Sequence, residues 1–447
     1  MRAAGLVLWG VAVAAGLQAY PLDGAARTGI RRLAAYRLAH EKKIASSLKI
    51  PPGGLWGEAQ IALRLQGRNE LFDIDGRIER DGYLQAGLER IFGPRDRSYS
   101  VALLDITDPM RPLYAALRPD EMKIPGSVGK LLVATGLFGA LARHYPDTRK
   151  RETLLRETSV TADAFVYRDS HTVPIWHEGD STILNRPIQA GDRFNLWEWL
   201  DHMLSQSSNA AGSMVWKQAL LLRHFGARYP LPKPEEDAFF KATPKPELSR
   251  LALETLEAPL IAAGIDTNRL RLGTFFTRNA SAVIPGTSSY AAPRELLRWL
   301  IKLEQGKVVD AWSSLEIKKL LYFARPRYRY AAAPALNHAA VFFKSGSLFE
   351  CVSEPGFACG AYKGNKVNLM HSVAIVESGR AVYLVAMMSN VLKVNSAVEH
   401  QTIAGEIHRL IEQRPSDRRP VVALKRQNET SENVSTRSTD SCRNAAL

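Results

Sequence analysis

Ser127-Val128-Gly129-Lys130 places a hydroxyl three residues ahead of an amine. On a helix that interval is about one turn, so the amine can approach the hydroxyl, take its proton and make serine a nucleophile. Two more short stretches carry complementary groups. Ser207-Ser208-Asn209 offers hydroxyls for relaying a proton and a carboxamide for holding an amide. Lys344-Ser345-Gly346-Ser347 offers a cation, two hydroxyls and a glycine that lets another backbone come close. Nucleophile, base, relay and cationic strand are the parts that acyl transfer needs. Each stretch alone has an ordinary explanation, because Ser and Asn cap helices, Lys is common on helix surfaces, and Ser-Gly often ends a strand. Their joint occurrence favours the chemistry.

The elements around these stretches must bring them together. Residues 99–106 form a buried apolar run, residues 108–111 a turn and residues 113–117 a returning strand. From Gly126, Leu131, Leu132, Ala134, Leu137, Phe138 and Leu141 recur at helical spacing, so Ser127 falls at a helix N-terminus, where exposed N–H groups favour a developing negative charge. Residues 194–204 and 210–222 are apolar helices, with Ser207–Asn209 in the turn between them. Residues 340–343 form a strand that feeds into Lys344, where an extended substrate could lie along its edge. Residues 371–376 and 381–388 make a hairpin of buried strands, and a helix over residues 398–412 closes the domain.

The rest of the chain sets limits. With 447 residues, 46% of them hydrophobic, it can bury a large core. The net charge of +14 comes from scattered Lys and Arg with no nucleic-acid module among them, so no nucleic-acid partner is expected. Arg2, an apolar run over residues 3–17 and small residues near Ala19 make residues 1–19 a secretory signal peptide, or an uncleaved membrane anchor over residues 3–19. Either puts the chain in the periplasm or outside the cell. Of three cysteines, Cys351 and Cys359 could close a small loop in an oxidising compartment, and Cys442 is unpaired. No metal-ligand spacing occurs, and His171 and His177 have the character of surface histidines. The expected organisation is a leader over residues 20–95, a catalytic domain over residues 96–414 and a disordered polar tail over residues 415–447. The leader is expected to hold helices over residues 29–43 and 82–91. Residues 161–192 and 228–248 are expected to be surface loops or insertions beside the cleft.

The three motifs, in this order and on these elements, resemble the S-x-x-K, S-x-N and K-[ST]-G signatures of penicillin-binding proteins and class A-type serine β-lactamases. The likeness spans residues 99–414. It implies an α/β (α+β) fold of the β-lactamase/transpeptidase type, an antiparallel sheet flanked by helices plus a helical subdomain. It also implies a serine hydrolase without metal or organic cofactor, acting on a β-lactam or a D-alanyl cell-wall peptide. By this resemblance Ser127 is the nucleophile, Lys130 its base and Ser207 the proton shuttle. Asn209 holds a substrate amide, Lys344 with Ser345 receives its carboxylate, Gly346 lets the backbone approach closely, and the N–H groups of Ser127 and Ser347 form the oxyanion hole. Lys130 must then be desolvated and near another cation, Lys344 being the candidate.

One departure matters. Class A enzymes carry a glutamate between the second and third motifs that activates water for deacylation. Residues 270–293 contain no Asp or Glu, and Asn279 and Ser281 can at most position a water. Glu254 and Glu257, upstream, have the pattern of a solvated helix face. Acylation is therefore expected and fast deacylation is not. An esterase on the same scaffold and a non-catalytic binder of envelope peptides are the alternatives.

Overall fold

The computed structural model describes residues 21–68, 74, 80–322 and 327–414. The expected signal or anchor, the polar tail and Cys442 lie outside them. Five strands, β1 (Ser100–Asp105), β2 (Leu113–Leu117), β3 (Ala340–Glu350), β4 (Val367–Glu377) and β5 (Val382–Asn390), form one sheet in the order β2-β1-β5-β4-β3. Every neighbouring pair is antiparallel. Both faces are covered, which is why these strands are continuous apolar runs rather than alternating ones. The alternation survives in which core each residue joins. Ala102, Leu104, Phe342, Ile375 and Leu384 enter the larger core with helices Lys130–His144, Leu196–Leu204, Asn209–Phe225 and Pro293–Glu304. Val101, Leu103, Phe343, Val376 and Val385 enter the smaller one with helices Gly82–Phe92 and Ser396–Glu412. The fold is thus α+β, an antiparallel sheet between helical layers with a helical subdomain on one side.

The segment from Pro21 to Arg68 packs into the larger core through Leu22, Ile30, Leu33, Ile61 and Leu65. Charged staples reinforce this packing. Arg32 and Asp201, both fully buried, make a bidentate pair that ties the leader to helix Leu196–Leu204, just ahead of the Ser207 turn. Arg64 and the buried Lys318 meet on Glu377. Removing one member of such a pair leaves the other uncompensated. Asp201→Ala is expected to cost about 3–5 kcal/mol in urea unfolding, and Arg32→Met with Asp201→Leu together much less.

Several expected boundaries shift. The first leader helix is shorter than expected, Arg31–His40. Residues 228–248 are not a loop, because helix Lys233–Ala242 occupies them with Pro234 in its first turn, where proline costs no hydrogen bond. Residues 161–192 include a small ladder of Thr172–Ile175 with Leu184–Pro187. β3 does not end at Ser-Gly but runs on to Glu350, where Cys351 and Cys359 form a disulfide.

Candidate active site

Ser127 lies in a 3-10 turn, Gly126–Gly129, that leads into helix Lys130–His144. The Lys130 amine is fully enclosed. Its Nζ stands 2.8 Å from Ser127 Oγ, 2.7 Å from the Ser207 carbonyl oxygen and 2.7 Å from Asn209 Oδ1. Burial pulls its pKa down to about 7; Asp169 opposes that fall and Arg329 adds to it. An amine poised there can take a proton from Ser127 Oγ at neutral pH.

The Ser207 turn supplies two of these contacts because Ser207 adopts φ +60°, a left-handed conformation that costs a non-glycine residue on the order of 1 kcal/mol. Its carbonyl then faces Lys130, and its hydroxyl accepts from Lys344 Nζ at 2.8 Å. Ser208 caps the following helix, Asn209–Phe225, by accepting from Ala211 N–H at 3.1 Å.

Strand parity places the third motif. Lys344 shares the side of Phe342, toward the helical subdomain and Ser207, and its amine also donates to the Ser345 carbonyl at 2.9 Å. Ser345 and Ser347 alternate with it along this edge strand, and both hydroxyls meet Arg329. Lys344 is buried, and burial first, then repulsion from Lys130 and Arg329, holds its pKa well below the ordinary value. Gly346 faces the start of the serine helix. A Cβ there would lie 2.4 Å from the Pro125 carbonyl oxygen and 3.2 Å from Ser127 N, and one at Gly126 (φ +52°) would lie 3.3 Å from Ser347 N. The two glycines let strand and helix touch, which sets the Ser127 amide against Gly346 and the Ser347 amide against Gly126. The structure therefore gathers Ser127, Lys130, Ser207, Asn209, Lys344, Ser345, Gly346 and Ser347 at one place.

Three further residues complete it, and no motif announced them. Arg329 donates to Ser345 Oγ at 2.6 Å and Ser347 Oγ at 3.2 Å, with its guanidinium 4.4 Å from the Tyr362 ring centre and 5.1 Å from that of Tyr328. The run Tyr328-Arg329-Tyr330 was the available signal. Phe276, from the acid-free stretch 270–293, places its ring centre 4.5 Å from Lys130 Nζ. A Cβ at Gly212 would lie 2.7 Å from that ring, so the glycine makes room for it. Asp169, with its side chain buried, accepts from Ser208 Oγ and the Ala210 N–H. His171, expected to be a surface residue, donates to Asp169. Neither Glu254 nor Glu257 reaches the site; they pair with Arg223 and Arg271. Among the described residues no group of three or more His, Cys, Asp or Glu side chains could hold a metal ion.

No family model matches the chain, and no curated protein matches it. Solved structures do. The chain is similar to a β-lactamase from Sphaerobacter thermophilus DSM 20745 at 12% identity and a TM-score of 0.47, over 73% of this chain and 94% of that one. A β-lactamase from Burkholderia phymatum matches at 16% identity and 0.46, over 74% and 100%. PBP-A, in an acyl-enzyme complex with penicillin G, matches at 13% identity and 0.45, over 75% and 97%. Likenesses this distant decide nothing about chemistry, which rests on the distances above.

Proposed function

We propose that the protein is a serine hydrolase of the penicillin-recognising type, in which Ser127 attacks the amide carbonyl of a β-lactam or D-alanyl peptide to give an acyl-Ser127 intermediate. The observation that carries this reading is the buried Lys130 amine, brought to a pKa of about 7 and held 2.8 Å from Ser127 Oγ. The Ser127 proton passes to Lys130 as the carbon–oxygen bond forms. The resulting ammonium is met by the Ser207 carbonyl and Asn209 Oδ1. Ser207, its oxygen held by Lys344, passes its proton to the leaving nitrogen as the carbon–nitrogen bond breaks and regains one from the Lys130 ammonium, which returns to the neutral amine. The amides of Ser127 and Ser347 stabilise the oxyanion, each such donor contributing about 3 kcal/mol.

Two assignments sharpen. With Oδ1 turned to Lys130, Asn209 offers its NH₂ to a substrate carbonyl. Lys344 is disfavoured as a cation, whereas a guanidinium keeps its charge, so the substrate carboxylate is received by Arg329 with the hydroxyls of Ser345 and Ser347. Phe276 stands over Lys130, and among the described residues no carboxylate is hydrogen-bonded to that amine to activate water, which favours slow release of the acyl group. The Cys351–Cys359 bridge supports a location outside the cytoplasm. Among the described residues no helix is long and apolar enough to cross a membrane, and residues 3–19 lie outside them.

Hydrolysis of a chromogenic β-lactam and a chromogenic ester, each with Ser127→Ala as control, tests the reading. It predicts Ser127-dependent reaction with the β-lactam, fast to a first turnover and slow thereafter. Ester-only reaction selects the esterase alternative, and the absence of any Ser127-dependent reaction selects the binding protein.

A further inference from the structure

Behind the Ser207 turn lies a carboxylate that the mechanism above does not use. Asp169 Oδ2 accepts from Ser208 Oγ at 2.9 Å and from the Ala210 N–H at 2.8 Å; Oδ1 accepts from the His171 N–H at 3.0 Å and from His171 Nδ1 at 2.6 Å. All four contacts close on a side chain with 1% exposure. Its neighbour Arg168 has φ +68°, and Ser207, the neighbour of Ser208, has φ +60°. Burial alone would raise the pKa of this carboxyl; the His171 imidazole, through its hydrogen bond and its charge, and the N–H groups of Ala210 and His171 lower it instead. That charge is felt on the other side of the turn. The side chains of Lys130, Lys344 and Arg329 converge there, and Asp169 is the carboxylate whose field reaches Lys130.

We infer that Asp169 is a positioning residue for acylation, clamping the Ser207–Asn209 turn onto Lys130 from behind and supplying the counter-charge that sets how readily Lys130 holds a proton. Its role rests on the proposed Ser127 chemistry, but its effect on the Lys130 charge can be measured apart from it. The four donors hold Asp169 ionised, with a pKa near 2, so its charge is constant across the range in which Lys130 titrates. The groups facing Lys130 are Asp169, Arg329 and Lys344, and the one facing Asp169 is His171. Removing the negative charge disfavours the ammonium, so the Lys130 pKa falls.

The test compares wild type and Asp169→Asn in two ways. The rate of Ser127 labelling by fluorescent penicillin is followed against pH, and the Lys130 nitrogen is titrated by ¹⁵N NMR, which needs no substrate. Asp169→Asn is expected to label at least about tenfold more slowly on the alkaline plateau and to move its acid limb, and the NMR midpoint, down by about one pH unit. A scaffold role alone would lower the rate and leave both midpoints in place, which would overturn the inference. Unlabelled wild type would sink the Ser127 reading, whereas an unmoved NMR midpoint would sink this one. If Asp169→Asn does not fold, Ser208→Ala takes its place: it removes a neutral anchor and keeps the charge. A several-fold slower rate at an unchanged midpoint supports the clamp, and an unchanged rate refutes it.

Discussion

Lys130→Met labels with penicillin on the order of 10³-fold more slowly than wild type, the scale of a lost general base. Methionine keeps the length of the side chain and its packing against Phe276, but removes the proton acceptor together with the amine's contacts to the Ser207 carbonyl and Asn209 Oδ1. A melting curve checks that the variant is folded. The same amine gives wild type a pH signature. Lys130 accepts the Ser127 proton only when neutral, and burial has brought its pKa to about 7. Labelling is therefore at a plateau above that pH and falls about tenfold per unit below it, and the limb disappears in Lys130→Met. An ordinary exposed lysine, near 10.4, would leave almost no neutral base under physiological conditions.

Phe276→Glu is expected to speed loss of the acyl group from Ser127 by about 100-fold or more. The ring lies over the Lys130 amine, and among the described residues no carboxylate is hydrogen-bonded to Lys130 or Ser127. Asp169 cannot serve, since its oxygens are engaged by His171, Ser208 and Ala210. A glutamate at this position, reached past Gly212, would pair with Lys130 and could take a proton from an attacking water. The charge has a second effect of opposite sense: it raises the Lys130 pKa, so the acid limb of acylation moves to higher pH. Decay of the fluorescent adduct after removal of free penicillin measures the first effect. An adduct that decays at the wild-type rate in a folded Phe276→Glu variant would show that water activation does not limit release.

The three motifs were legible because each is local: a helix start, a turn and a strand place their own side chains, and the apolar runs around them specify the elements. The residues that complete the site come from segments whose partners are distant. Asp169 lies far along the chain from Ser208, in a stretch whose polar composition has the look of a surface loop. Arg329 has no local pattern beyond its flanking tyrosines, and its reach to Ser345 and Ser347 follows from strand parity that only the folded sheet fixes. The missing glutamate could be noticed in the sequence, but not that an aromatic ring stands over the lysine. Arg32 and Arg64 look solvent-facing by residue type, and only the folded chain brings them to Asp201 and Glu377. Proline misled in the other direction: the Pro-rich stretch before Glu235 begins a helix instead of interrupting one, because the first turn has no use for the missing N–H.

Intact-mass spectrometry of the folded protein after exposure to penicillin G, with peptide mapping, tests the central claim most directly. A single adduct of the mass of the antibiotic, mapped to Ser127, absent from Ser127→Ala and persisting after free penicillin is removed, is the predicted result. Unmodified protein, or an adduct on any other residue, would contradict it.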